Sequence, residues 1–316
     1  MAEILLTRLP NADIIDKENV DDLPFASELK KFLEAPNVKI KDWPTVESKL
    51  RKMISGGAEK LMLISDFDFT LTKFKDESGR KFWSSPGLFD HLAKEFNPPL
   101  AEEFKKICRK YIPIEFDPHL PMEQKIPFME EFWKLSHALT VSGQFKRCLV
   151  ESFIREKCHI ALRDGGQEMM EKLADHDIPL VIFSAGVGDV IDIYLRHELQ
   201  RECLPPNMHI ISNMAKYDEE DVLVGFSEPV IHTFRKNSSV IKKEAGTNVL
   251  LLGDSLGDTN MDVGVEGHGP TLKVGFLNHK ADELIDTFMD IYDIVIVAET
   301  SIHLPSAILD SIIRKN

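Results

Sequence analysis

Leu61-Met62-Leu63-Ile64-Ser65-Asp66-Phe67-Asp68-Phe69-Thr70 is a short apolar run that ends in two carboxylates spaced i, i+2, with a threonine two residues further on. Such a run reads as a buried strand. Burying two like charges side by side is expensive unless a cation sits between them. A hard divalent ion such as Mg²⁺ removes that cost and takes oxygen ligands. In open α/β sheets ligands gather at the carboxyl ends of the strands, where these aspartates fall. The stretch also fits a strand that ends in a solvated acidic turn, and alone it does not choose.

Three further segments make the choice. Ile178-Pro179-Leu180-Val181-Ile182-Phe183-Ser184-Ala185-Gly186 is again a strand ending in a small polar turn. Val249-Leu250-Leu251-Leu252-Gly253-Asp254-Ser255-Leu256-Gly257-Asp258 is a third strand, ending in paired acids. Between them Lys236 stands in Thr233-Phe234-Arg235-Lys236-Asn237-Ser238. Asp-x-Asp-x-Thr, then Ser, then Lys, then Gly-Asp-x-x-x-Asp, in that order, resembles the haloacid dehalogenase superfamily of phosphatases.

Trp43 to Ile54 reads as a helix stopped by Gly56-Gly57. From Gln167 onward, helices at Gln167–His176, Asp189–Leu199, Ala281 and Ser306 alternate with strands near Val181, His209, Val222, Val249, Leu272 and Tyr292. Repeated βα units predict an α/β fold, a three-layer Rossmann-like core whose mainly parallel sheet is covered on both faces. Residues 76–163 break the alternation. Helices are expected there over Leu100–Tyr111, Ile126–Leu139 and Cys148–Leu162, which makes this segment an inserted all-helical cap. Residues 41–75 and 164–316 then form the catalytic core, and residues 1–40 a helical leading arm. A cap over the strand ends can exclude water and select the substrate.

With 316 residues, 43% hydrophobic and 28% charged, the chain has the composition of an ordinary soluble globular protein. A net charge of −14 argues against a nucleic-acid polymer as partner. It leaves room for a small anionic substrate, because a metal and a few cations can set the local field. Cys108, Cys148, Cys158 and Cys203 form no Cys-x-x-Cys, and so large a chain needs no disulfide staples. Met1 to Arg8 lacks a signal peptide's apolar stretch, and no run approaches the roughly 20 residues that span a bilayer. A cytoplasmic monomer with no membrane partner is expected.

A phosphate monoester is a poor electrophile until its charge is neutralised, and Mg²⁺ between Asp66, Asp254 and a phosphate oxygen would do this. Asp66 is the expected nucleophile, forming an aspartyl-phosphate. Asp68 lies on the same side of the extended backbone, placed to protonate the leaving oxygen and then to deprotonate water. Its backbone carbonyl is a further candidate metal ligand. Ser184 offers a hydroxyl to the phosphate, and the turn from Ala185 offers N–H groups. Lys236 would neutralise the nucleophile and the developing charge. Asp258 would orient Lys236 or a metal-bound water. Plainer readings exist: Lys236 as a solvated lysine beside Arg235, and Ser184 as turn chemistry. Gly253-Asp254-Ser255-Leu256 also spells the GDSL esterase signature, with Ser255 as nucleophile. That motif normally opens its domain, and the reading leaves Asp66 and Asp68 unused.

The resemblance reaches further. Asp66 to Thr72, Ile114-Glu115-Phe116-Asp117-Pro118, Lys134-Leu135-Ser136-His137, Ile182 to Asp189 and Leu251 to Asp258 are similar to the cytosolic 5′-nucleotidase III family. So are Gly275-Phe276-Leu277-Asn278 and Tyr292-Asp293-Ile294-Val295. The similarity runs from about Leu50 to the C-terminus. It implies Mg²⁺-dependent removal of the 5′-phosphate from pyrimidine nucleoside monophosphates or, in one branch, from 7-methylguanosine monophosphate. It implies catalysis at Asp66 and Asp68, and substrate contacts at Glu115, Ser136, Ser184, Ala185 and Lys236. Metal ligands would be Asp66, Asp68 and Asp254. A phosphotransferase side activity follows if an alcohol intercepts the aspartyl-phosphate.

Glu115 stands between two apolar residues, where an unpaired charge is costly. A nucleobase amino group would satisfy it; so would a lysine or arginine of the cap. On the helix from Ile126, Phe128, Phe132, Leu135 and Leu139 follow core spacing, with Trp133 and Ser136 on an adjacent face. Trp133 can stack on a base, or belong to a second packing stripe. In the family, Trp at this position marks the 7-methylguanosine branch, whereas Ser136 is similar to the pyrimidine branch. No aromatic aligns near Pro86-Gly87 to close a base sandwich, although Trp83 and Phe89 lie close by. The connection from Lys236 to Val249 is shorter than the family's. Two other readings remain: a related phosphatase acting on a different small phosphomonoester, and a non-catalytic nucleotide-binding protein.

Overall fold

A computed structural model of the chain describes residues 27–115, 117, 120–234, 236, 248–263 and 269–314. Most of the leading arm, Phe116 and Pro118, and the connection over 237–247 lie outside the described residues.

Helix α1 (Ser27–Leu33) and strand β1 (Val38–Lys39) precede helix α2 (Trp43–Gly56). Asp42 caps α2 by accepting from the Thr45 N–H at 3.2 Å, and Pro44 suits the first turn. Gly57 ends the helix with φ of 72°, a conformation that favours glycine. Strand β2 (Leu61–Ser65) follows, then helices α3 (Gly87–Phe96), α4 (Pro98–Glu115), α5 (Met122–Ser142) and α6 (Arg147–Lys157). Helix α7 (Gly166–Asp175), strand β3 (Leu180–Val187), helix α8 (Gly188–Glu198) and strand β4 (Met208–Asn213) come next. After the small hairpin of β5 (Ala215–Tyr217) and β6 (Leu223–Phe226), the chain runs through β7 (Asn248–Gly253) and β8 (Thr271–Leu277). It closes with α9 (Ala281–Ile291), β9 (Ile294–Val297) and α10 (His303–Ile313).

The sheet order is β1-β9-β8-β7-β2-β3-β4, parallel throughout except for β1, which pairs antiparallel with β9. From β2 the chain steps outward through β3 and β4, then returns to the other side of β2 for β7, β8 and β9. That reversal opens a crevice beyond the carboxyl end of β2. Every residue of β2, β3 and β7 is buried, as expected of strands covered on both faces. Alternate residues serve opposite faces: Leu61 and Leu63 pack in one apolar cluster, Met62 and Ile64 in the other. Register then places the crevice residues. Ser65 lies opposite Ile182 of β3 and Leu252 of β7. Asp66, one residue on, therefore arrives beside Gly253-Asp254 and Phe183-Ser184.

The helices between β2 and β3 differ from expectation in three ways. Helix α3 is new: its apolar spacing is masked in the sequence by Ser84-Ser85-Pro86 immediately ahead of it. Helix α6 stops at Lys157, short of Leu162, because residues 158–163 must cross back to the core. There the returning chain pairs with the outgoing one, Lys73 N–H to Ala161 carbonyl at 2.8 Å and Arg163 N–H to Leu71 carbonyl at 2.9 Å. The buried face of α5 is Lys125, Met129, Trp133 and Thr140, whereas Phe128 and Leu135, expected in the core, are 40% and 39% exposed. Two neighbouring stripes of this helix have helical spacing, and the tertiary partners, α4 and the β6 hairpin, decide between them. Among the described residues no helix is long and apolar enough to cross a membrane.

Candidate active site

A cavity of about 390 Å³ opens at the crevice. Its floor is built from the ends of β2 and β7. The Asp66 N–H bonds the Leu252 carbonyl at 3.0 Å, which locks the two strand ends together. Lys236 is 4% exposed and donates to Asp66 Oδ1 at 2.5 Å and to Asp258 Oδ1 at 2.7 Å. Asp258 does not line the cavity. Its other oxygen accepts from the Asp254 N–H at 3.1 Å, the Ser255 N–H at 2.9 Å and the Ser255 hydroxyl at 2.8 Å. It thus anchors both Lys236 and the loop that carries Asp254. The Ser255 hydroxyl is engaged in this cap at the start of the short helical turn over Leu256–Asn260.

Asp68 turns away from the other acids. Its carboxylate accepts from the Ser85 N–H and the Ser85 hydroxyl, both at 2.6 Å. Gly186 makes room for this pair, since a Cβ there would lie 2.0 Å from Ser85 Oγ and 2.8 Å from Asp68 Oδ2. Ser184 is buried and its hydroxyl oxygen accepts from the Gly186 N–H at 2.9 Å, leaving its own proton to donate. Ser184 and Ala185 both line the cavity.

The inserted helices supply the opposite wall. Glu115 ends α4 and accepts from the Thr233 hydroxyl at 2.6 Å. Lys125 donates to the Glu115 backbone carbonyl at 2.8 Å. Trp133 and Ser136 line the same wall from α5. Phe89 lines it too, but Trp83 does not: it stacks on His91 at 3.8 Å and 11°.

Electrostatics on the floor are lopsided. Burial pushes the Asp66 carboxyl up against the pull of Lys236, and burial together with Asp66 and Asp258 pushes Asp254 well above the usual carboxylate range. Burial raises Asp68 to about 6, with Ser85 opposing. Burial alone would lower Lys236, yet Asp258 and Asp66 hold it above its ordinary value. Asp66, Asp254 and Asp258 bring carboxylate oxygens within 4.8 Å of one another. One ammonium does not balance so many buried acids, and the donor set is all oxygen. Both facts fit a hard cation held by Asp66 and Asp254.

The pyrimidine 5′-nucleotidase (UMPH-1) family model matches residues 69–313. The chain belongs to this family. It is 45% identical over 89% of its length to a Caenorhabditis elegans protein described as a cytosolic 5′-nucleotidase 3, covering 77% of that protein. It is 35% identical to the human 7-methylguanosine phosphate-specific 5′-nucleotidase, over 91% of this chain and 96% of the other. Among solved structures, cytosolic 5′-nucleotidase IIIB bound to cytidine aligns with a TM-score of 0.75 and 28% identity, over 90% of this chain and 96% of that one.

Against this family background, some neighbours of the acids carry no sequence signal of their own. Ser85 sits in a breaker segment and meets Asp68 only through tertiary folding. Thr233 reaches Glu115 across the cavity. Arg163, 1% exposed, lies far from every motif. Asn278 belongs to the Gly275–Asn278 motif, where spacing alone assigns it no role, yet it donates to Asp254 Oδ2 at 3.3 Å.

Proposed function

We propose that the chain is a Mg²⁺-dependent 5′-nucleotidase that hydrolyses nucleoside 5′-monophosphates through an aspartyl-phosphate on Asp66. The carrying observation is the convergence of Asp66, Lys236 and Asp254 on the floor of a cavity walled opposite by Glu115 and Trp133. The names and family of the relatives support the 5′-nucleotidase activity itself.

Mg²⁺, held by Asp66, Asp254 and the Asp68 carbonyl, would neutralise phosphate charge and make phosphorus a better electrophile. Lys236 keeps the Asp66 carboxylate oriented and offsets the charge that builds on the phosphoryl oxygens. An Asp66 oxygen attacks phosphorus, the bond to O5′ breaks, and Asp68 gives its proton to the leaving oxygen. A carboxyl raised to about 6 is suited to that role. Water then attacks the aspartyl-phosphate, Asp68 takes up its proton, and Asp66 is released. An alcohol in place of water would carry the phosphoryl group away. Ser184 donates to a phosphate oxygen, and the Ala185 turn closes around it.

In this reading the segment 76–163 is a cap that excludes water and reads the base. Glu115 accepts from base N–H groups, Ser136 adds a polar contact, and Trp133 stacks on the ring. The substrates are 7-methylguanosine 5′-monophosphate, the pyrimidine monophosphates CMP and UMP, or both classes, and the compartment is the cytoplasm.

Phosphate release from CMP, UMP, GMP and 7-methyl-GMP tests this. Activity should need Mg²⁺, stop with EDTA, and vanish in Asp66→Asn. Equal turnover with and without metal removes the mechanism. Trp133→Tyr should shift the ratio of 7-methyl-GMP to CMP turnover toward CMP, and an unchanged ratio removes base selection by that ring.

A further inference from the structure

Arg163 is a buried guanidinium to which, among the described residues, no carboxylate is hydrogen-bonded. Among the described residues its donors go to oxygens of neutral groups: the Thr70 carbonyl at 2.7 Å, the Phe69 carbonyl at 2.7 Å, the Glu299 carbonyl, and Asn278 Oδ1 at 2.8 Å. Its plane lies over the Phe276 ring at 4.0 Å. Burying a cation this way is expensive, so the arrangement calls for a return elsewhere.

Asn278 shows where that return lies. Arginine carries donors only, so the Asn278 amide must present its oxygen to Arg163. Its Nδ2 group is thereby aimed the other way, at the Phe69 carbonyl at 2.9 Å and at Asp254 Oδ2 at 3.3 Å. The other oxygen of Asp254 faces the Thr70 hydroxyl at 3.4 Å, and the carbonyl of that same Thr70 is bonded by Arg163. Among the described residues each Asp254 carboxylate oxygen meets one side-chain donor, and Arg163 bonds the Asn278 amide directly and the backbone of Thr70 through its carbonyl.

We propose that Asn278, oriented by Arg163, is a positioning residue that holds the Asp254 carboxylate in the attitude needed to bind a divalent cation, with Thr70 as the second support. The inference rests on the reading of Asp254 as a Mg²⁺ ligand. An outer partner of this kind fixes a ligand's orientation, and its loss weakens metal binding about 10- to 100-fold. Arg163 also sits on the segment that returns from the inserted helices, its N–H bonded to the Leu71 carbonyl at 2.9 Å, so Asp254 is tied to the crossing between the two parts of the chain.

The test measures Mg²⁺ affinity by isothermal titration calorimetry, with a thermal melt of the metal-free protein alongside. Asn278→Leu should bind Mg²⁺ about 10- to 100-fold more weakly than wild type. Thr70→Val, which keeps the side-chain shape, should weaken binding in the same direction by less. Arg163→Lys keeps the charge but loses the fork, and should fall between wild type and Asn278→Leu. A purely structural role predicts the opposite split: a lower metal-free melting temperature with unchanged affinity, which overturns the proposal. If Asn278→Leu does not fold, Thr70→Val decides by the same criterion. A wild-type protein that takes up no Mg²⁺ sinks the cation reading itself, an outcome distinct from equal affinity in wild type and variant.

Discussion

Asp90 is a carboxylate of the cavity wall to which the catalytic reading gives no task. It lies in the first turn of α3, and burial alone pushes its carboxyl up to about 6. The folded chain thus keeps a proton that an unfolded carboxyl, with its ordinary value near 4, has already released. The stability contributed by this group is whole below about pH 4 and is lost as pH rises through about 6, by at most about 3 kcal/mol. Asp90→Asn removes the titration. Its melting temperature should exceed that of wild type near neutral pH and converge on it near about pH 4. A gap that does not change with pH would refute the assignment. At this scale Asp66, Asp68 and Asp254 are legible in the sequence because carboxylates at the ends of buried strands are costly, whereas Lys236, on the connection ahead of β7, is legible only from its place in the ordered Asp/Ser/Lys/Asp pattern. Ser85, Arg163 and Asn278 are not legible in that way. Their roles come from which neighbour they meet, and a serine in a turn or an arginine before Asp164 looks the same whether or not it meets one.

Helix α5 shows the same division among elements. Its existence follows from apolar periodicity, but the direction of its neighbours does not. Phe128 and Leu135 share a stripe with Phe132 and look like core, yet Met129 is 0% and Trp133 6% exposed, and they form the packed face. Met129→Ala should destabilise by about 2–4 kcal/mol, through lost transfer energy plus a cavity. Leu135→Ala, on the outer face, should lie within about 1 kcal/mol of wild type. Urea unfolding of both variants decides, and the reverse order would mean that the helix packs by the stripe read from sequence. Strands β1 and β5 were beyond sequence reading for a different reason. At two and three residues they are too short to display any period, and only their partners, β9 and β6, define them.

The molecule as a whole carries a net charge of −14, yet the proposed substrate is a phosphate dianion. The alternation of helices and strands makes the crevice predictable, but it does not say how an anion enters it. Lys81 supplies an answer. It lines the cavity and lies over the rings of Phe69 and Phe74 at 4.8 and 4.9 Å, with no carboxylate salt bridge among the described residues. Asp254 and Glu115 are the acids that act on it most strongly, so it faces both the acidic floor and the opposite wall of the cavity. The general repulsion is long-ranged and the Lys81 attraction local, so salt separates them. At about 0.01 M ionic strength, where charges act over roughly 30 Å, Lys81→Met should raise KM and lower kcat/KM about five- to tenfold with kcat nearly unchanged. As salt approaches about 1 M and the range shrinks to roughly 3 Å, the two proteins should converge. Lys81→Arg should behave like wild type throughout. A salt-independent gap, or a loss confined to kcat, would mean that Lys81 takes part in the chemical step instead of drawing the substrate in.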